Sequence, residues 1–253
     1  MRIGGRDYAV KSGRGEVAGQ LAIEARMLRD LADEGSLPGP EIIHHADDLL
    51  VLEWIENQNR PMEICHQRTA GEAFARLHAT PRPYFGYTYD TTIGGLAQPN
   101  PHYTTWTTFF AEQRLMAFAT LALARGLMDP SLLTRLEKLS ARLPDYLPEP
   151  VSPALLHGDA WHGNILTNGN AIPAYIDPAL YFGSPEAELS YVTMHGTFGA
   201  PFFEAYGANL AIESGFFEDR IDILNIYPNL VHLLLCGPSY IPPIDRTLTR
   251  LGL

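Results

Sequence analysis

Short apolar runs broken by glycine and proline fill the opening of this chain, and helix-spaced apolar residues fill most of the remainder. Tyr8, Ala9 and Val10 come after Gly4-Gly5 and run into Lys11, so residues 1–12 read as the second half of a β-hairpin. Over Gln20 to Asp33 the period changes, because Leu21, Met27, Leu28 and Leu31 recur at roughly helical spacing. Residues 35–40 read as a loop, and short strands are expected around 41–44 and 49–54. The apolar run ending at Ile55 then gives way to the polar residues 56–60, as a connector between lobes would. The expected division is a small lobe over residues 1–55 and a larger one over 56–253.

Helical periods dominate the larger part. Ala70, Phe74 and Leu77 share one face of a helix around residues 69–80, with His78 near its end as a capping or packing residue. Gly, Pro and Asn punctuate residues 85–104, which read as a long ordered loop of the kind usually tied to function. Residues 105–125 then present Trp106, Phe109, Phe110, Leu115, Phe118 and Leu121 on an apolar face, against which a helix over 130–143 is expected to pack. Further helices are expected over 182–195, 202–210 and 221–237, the last broken or started near Pro228. Pro185 suits a first turn, where Glu186 and Glu188 favour the exposed amide donors; Glu186 is also a candidate contact for a cationic or polyhydroxyl substrate.

Charge removes whole classes of partner. With 29 acidic against 18 basic residues the formal net charge is -11, which argues against a nucleic-acid backbone or an anionic membrane surface. Lys11 and Lys138 are the only lysines, which draws attention to Lys11. Cys65 and Cys236 are too few for a disulfide framework and read as buried free thiols of a reducing compartment. No secretory leader opens the sequence, and no apolar run reaches the ~18–20 residues of a bilayer span. A cytoplasmic protein, monomeric or homodimeric, is expected.

The chemistry concentrates in residues 154–181. Asp159 precedes Asn164 by five residues, and Asp177 follows a short apolar run beyond the Asn168-Gly169-Asn170 turn. This is the spacing of the kinase catalytic loop, in which Asp accepts the hydroxyl proton while Asn and a second Asp hold Mg²⁺. The physical need is charge neutralisation, since ATP phosphates require Mg²⁺, and Mg²⁺ takes oxygen ligands. A hairpin between Leu166 and Ala171 would bring both ligands to one end. Any one of these residues alone would be an ordinary turn or loop cap; together they make Asp159 the candidate base and Asn164 and Asp177 the candidate metal ligands. His157 is the candidate support for the loop. Lys11 on its strand and Glu24 on the next helix match the kinase ion pair that contacts the α/β-phosphates, with Glu16 as a competing carboxylate.

HGDAWHGN followed by IDPALYFGSPEAELS resembles the fructosamine kinase (ketosamine 3-kinase) family, itself similar in fold to aminoglycoside and choline phosphotransferases. The likeness spans roughly residues 8–240, taking in YAVK at Lys11, the Glu24 helix, FGYTYDTTIGGLAQPN, the Trp106 to Leu115 stretch, and YPNLVHLLLCGPSY. It implies an α+β, protein-kinase-like bilobal fold: a reduced N-terminal antiparallel sheet lobe and a larger, mainly helical C-terminal lobe. It further implies ATP-dependent, Mg²⁺-assisted phosphorylation of a sugar hydroxyl on a ketoamine, free or protein-attached. Adenine would lie against the connector at Glu53, Trp54 and Ile55, and Trp161 would form a substrate wall. An aminoglycoside or choline-like acceptor, or a non-catalytic binding role, fits the same residues. The family pattern has about 20 more residues before this hairpin, including a Gly-containing turn over the phosphates. It also usually has Asp where this chain has Glu188.

Overall fold

The structure is a computed structural model that describes residues 1–15, 19–34, 37–58 and 60–253. Glu16, and Gly35 and Ser36 of the expected loop, lie outside the described residues. Strands β1 (Arg2–Ile3), β2 (Arg6–Ser12), β3 (Ile42–Ala46) and β4 (Leu49–Glu53) form an antiparallel sheet in the order β1-β2-β4-β3, with helix α1 (Gln20–Asp33) against it. Side chains alternate along a strand, so Ala9 and Lys11 of β2 share one face. On that face Leu21, Ala25 and Leu28 of α1 close a small core with Leu50 and Leu52, and Ala9 packs at its margin. Glu24 adjoins this buried stripe, which is why it meets Lys11 rather than solvent.

The helix α1 belongs to two cores. Met27 and Leu31 join the main core of the large lobe. Polar ties run the same way: Gln20 Nε2 donates to the Gly95 carbonyl at 2.9 Å, and the Tyr87 and Tyr89 hydroxyls both donate to Asp30 Oδ2, at 3.0 and 2.7 Å. The Arg26 guanidinium lies 3.6 Å from the Tyr89 ring centroid.

Residues 54–58 and 60–63 lead into α2 (Ile64–His78), and the Gln58 amide donates to the Thr167 carbonyl on the way. The large lobe continues with β5 (Thr91–Ile93) and β6 (Leu96–Gln98), then α3 (Trp106–Phe109), a π-helical stretch Phe110–Met116, α4 (Ala117–Ala124) and α5 (Pro130–Arg142). Strand β7 (Ala154–Leu156) precedes the hairpin β8 (Ile165–Asn168) and β9 (Ala171–Tyr175), and it pairs with β10 (Tyr181–Gly183). Helices α6 (Pro185–Met194), α7 (Ala200–Gly207), α8 (Ile221–Leu224), α9 (Ile226–Cys236) and α10 (Ile241–Arg250) complete it. No helix among the described residues is long and apolar enough to cross a membrane.

Several local expectations change. The long loop contains a β-hairpin: Gly94 and Gly95, at φ 55° and 86°, supply the two left-handed residues of a tight turn, and Thr91 pairs with Gln98. The break in the last expected helix falls at Asn225, between α8 and α9, rather than at Pro228. Pro228 sits in the first turn of α9, where a missing amide hydrogen breaks no helical bond. Cys65 is half-buried and Cys236 exposed, because each lies at a helix end rather than in the core.

Helix α2 crosses α7 at Gly71, where a Cβ would stand 2.4 Å from the Phe202 carbonyl oxygen. Replacing Gly71 with alanine is expected to destabilise the fold by about 1–3 kcal/mol through overpacking against backbone that cannot rotate away. Thermal unfolding measures it, and an unchanged midpoint would mean that the two helices separate freely.

Candidate active site

The loop after β7 is fixed at both ends to the segment after β9. Ala179 N donates to the His157 carbonyl at 2.8 Å, and Ile176 N to the Asn164 carbonyl at 2.9 Å. Gly158, at φ 82°, lies so close to the Ala179 carbonyl that a Cβ would come within 2.1 Å. These two clamps turn Asp159 and Asp177 toward one cleft of about 410 Å³, which Lys11 and Glu24 also line. Asp177 itself is left-handed, at φ 53°, a conformation that a non-glycine residue keeps only when its surroundings enforce it.

Lys11 joins the lobes. Its Nζ donates to Glu24 Oε1 at 2.7 Å and to Asp177 Oδ1. Burial alone would lower the lysine pKa, but the two carboxylates more than offset it and hold the ammonium above its ordinary value. Burial lifts the Glu24 carboxyl, against the pull of Lys11.

Asp159 accepts from Asn164 Nδ2 at 2.9 Å on Oδ2 and from the Tyr191 hydroxyl on Oδ1. Burial raises its pKa, while those two donors and His157 draw it back. Asn164 Nδ2 also donates to the Asp159 carbonyl at 2.9 Å, which commits the amide nitrogen to the loop. The Asn164 side-chain oxygen, Oδ1, is left for another partner, next in space to the Asp177 segment. An amide oxygen and a carboxylate are hard donors that suit Mg²⁺ completed by phosphate and water. Among the described residues no group of three or more His, Cys, Asp or Glu forms an all-protein metal cage.

Tyr191 escapes a reading by spacing alone, although it lies three residues after Glu188 on the same face of α6. Glu188 was expected to serve the amides of its own helix. It reaches across instead, accepting from His157 N at 2.5 Å and Gly158 N at 3.0 Å, and so caps the loop after β7. Glu186 is paired with Arg220, through contacts of 2.7 and 2.6 Å, and lines a separate cavity. His157 is fully buried, and its Nδ1 accepts from Asp159 N at 3.3 Å. Trp161 folds over Gly163, where a Cβ would lie 2.4 Å from the indole. Beyond it His195, His232 and Tyr240 continue as a row of rings. Glu53, Trp54 and Ile55 do not line the Lys11 cleft; the Trp54 indole donates to Glu56 at 3.1 Å.

Burial depresses both His157 and His195, His195 to about 4 with His232 and His162 adding to the effect. An unfolded histidine titrates near 6.5, so between pH ~6.5 and ~4 the unfolded chain binds more protons and the stability that these rings contribute falls with pH. The raised carboxyls of Asp159 and Glu24 oppose this, so the clean test is differential. His195→Phe, which removes no hydrogen bond of the buried Nε2, is expected to flatten the loss of urea midpoint between pH 6.5 and 4. An unaltered slope would assign the acid sensitivity elsewhere.

A lysine bridging a carboxylate from each lobe, above a loop that presents a hydrogen-bonded aspartate, is what a polyphosphate-binding transfer site requires, and with this architecture it makes the protein a phosphotransferase of the kinase fold. Comparison with known proteins narrows the class. The family model described as fructosamine kinase matches residues 1–252. A probable ketoamine kinase of Lactiplantibacillus plantarum is 34% identical over 205 residues, which cover 81% of this chain and 71% of the relative. A crystal structure of a candidate fructosamine-3-kinase from Thermobifida fusca superposes with a TM-score of 0.87 at 29% identity, covering 97% of this chain and 86% of the other. An ADP-bound aminoglycoside phosphotransferase shares the fold alone, with a TM-score of 0.63 at 14% identity, over 95% of this chain and 85% of its own. The chain belongs to the fructosamine kinase family.

Proposed function

We propose that this protein transfers the γ-phosphoryl group of ATP to a sugar hydroxyl of a ketoamine, free or protein-attached, with Asp159 as the base. The observation that carries the reading is the Asp159 carboxylate, held by Asn164 and Tyr191 in the cleft where Lys11 reaches Asp177. As the acceptor oxygen forms its bond to phosphorus, its proton passes to Asp159; the bond from phosphorus to the β-phosphate oxygen breaks and ADP leaves. Lys11 holds the α/β-phosphates, Glu24 holds Lys11, and Glu188 and His157 keep the loop in shape. Asn164 and Asp177 would hold Mg²⁺, which when bound neutralises phosphate charge. Backbone groups of residues 53–55 are assigned to adenine, in a molecule divided at residue 55.

A polycationic acceptor is matched best by carboxylates. The row from Trp161 through His195 to Tyr240 offers aromatic rings in place of carboxylates, which suits a hydroxyl-rich ketoamine better than an aminoglycoside. A monomer acting in the cytoplasm, where ATP is maintained, fits this chemistry. Incubation with Mg·ATP and fructosyl-lysine, ribulosyl-lysine, choline or an aminoglycoside, with the phosphate located by NMR, tests it. Turnover confined to ketoamines is expected, and preferential phosphorylation of either other acceptor would overturn the substrate assignment.

A further inference from the structure

The hairpin β5–β6 faces the cleft at its tip, where Thr92, Ile93, Gly94 and Gly95 stand across from Lys11. Its root does something different. Gln98, the last residue of β6, is completely buried, and both ends of its carboxamide are engaged. Oε1 accepts from the Tyr227 hydroxyl of α9 at 2.5 Å, and Nε2 donates to Thr91 Oγ1 at 2.7 Å and to the Ala179 carbonyl at 3.1 Å. Thr91 Oγ1 in turn donates to the Leu180 carbonyl at 3.0 Å and accepts from Asn100 Nδ2 at 2.8 Å. Asn100 Oδ1 is held at 2.6 Å by Arg114, itself fully buried on the π-helical stretch.

Two hydrogen-bond chains thus start from separate helices and end on consecutive carbonyls, two and three residues after Asp177. Their placement matters because the turn just upstream is constrained. Asp177 holds a left-handed backbone conformation, Pro178 comes next, and Ala179 is already fastened through its N–H to His157. Release of the Ala179 carbonyl would leave the downstream side of the strained turn without its buried partner. Only a side chain that donates and accepts at once can bridge Tyr227 and Ala179, and glutamine does both.

We infer that Gln98 is a positioning residue for Asp177: it carries the rigidity of α9 to the Ala179 carbonyl and so aims the Asp177 carboxylate at the metal-nucleotide complex. This rests on the reading of Asp177 as a metal ligand. Gln98→Met keeps the volume and loses the donor. It is expected to weaken Mg²⁺-dependent ATP binding by about 10–100-fold, the range for an outer partner of a metal ligand. ATP binding in EDTA stays at the wild-type value, and kcat recovers at saturating Mg²⁺. Calorimetry with and without Mg²⁺ reads the first two. Tyr227→Phe, the milder variant should Gln98→Met not fold, shifts the Mg²⁺ requirement in the same direction by less. If both variants bind Mg·ATP as the wild type does while Asp177→Asn does not, the positioning role is overturned and the metal assignment stands. If Asp177→Asn also leaves Mg²⁺ dependence unchanged, the metal assignment itself falls.

Discussion

Replacing Asp159 by asparagine is expected to lower kcat by about 10²–10⁴-fold, the usual contribution of a positioned general base, with little change in the KM for Mg·ATP. Asparagine accepts from Asn164 Nδ2 through its oxygen and donates through its amide nitrogen to the Tyr191 hydroxyl, so the loop retains its shape and the loss is one of basicity. Steady-state kinetics with varied ATP separates the two parameters. A rise in KM with kcat preserved would assign Asp159 to nucleotide binding. Tyr191→Phe sharpens the test, because its hydroxyl favours the ionised carboxylate. Without it Asp159 ionises at higher pH, and the acidic limb of the kcat profile moves upward.

Asp177→Asn is expected to act on the other side of the site. Asparagine tolerates a left-handed backbone, so the turn at φ 53° survives and only the negative charge is lost. Lys11 keeps Glu24 and loses its second carboxylate. Mg²⁺-dependent ATP affinity should fall by at least about 10–100-fold, the range that loss of even an outer partner produces. ATP affinity in EDTA should change little or increase, since Lys11 is freed for phosphate. Equal loss of turnover in the two variants, with metal dependence unchanged in both, would count against the division of roles.

The readable part of the site was the part that is local in the chain. Asp159 and Asn164 share one loop, Asp177 comes one hairpin later, and Lys11 and Glu24 sit on elements whose periods show in the sequence. The residues that hold this set in shape were less legible, because each acts through tertiary distance. Glu188 looked like a first-turn acid of its own helix, and only the approach of α6 to β7 turns it onto the amides of His157 and Gly158. Gln98 lay in a stretch whose glycines and prolines signal a loop, and its alternating buried positions are too short a run to announce a strand. Arg114 is buried with no salt-bridge partner among the described residues, against the rings of Tyr181 and Phe109, at 4.1 and 4.5 Å from their centroids. No charge pattern along the chain forecasts that arrangement.

The double membership of α1 changes where this molecule can hinge. Its Met27 and Leu31 are sunk in the large-lobe core, and Asp30 and Gln20 are tied to that lobe, whereas a small apolar patch, the Lys11–Glu24 ion pair and the bond from Gly19 N to the Asp47 carbonyl hold it to the sheet. That double membership makes the boundary between β1–β4 and α1 a candidate seam beside the connector. Opening for nucleotide entry would lift the sheet like a visor, with Glu24 and Asp177 staying in the body of the protein. Lys11, carried on β2, is the one member of the ionic trio that travels.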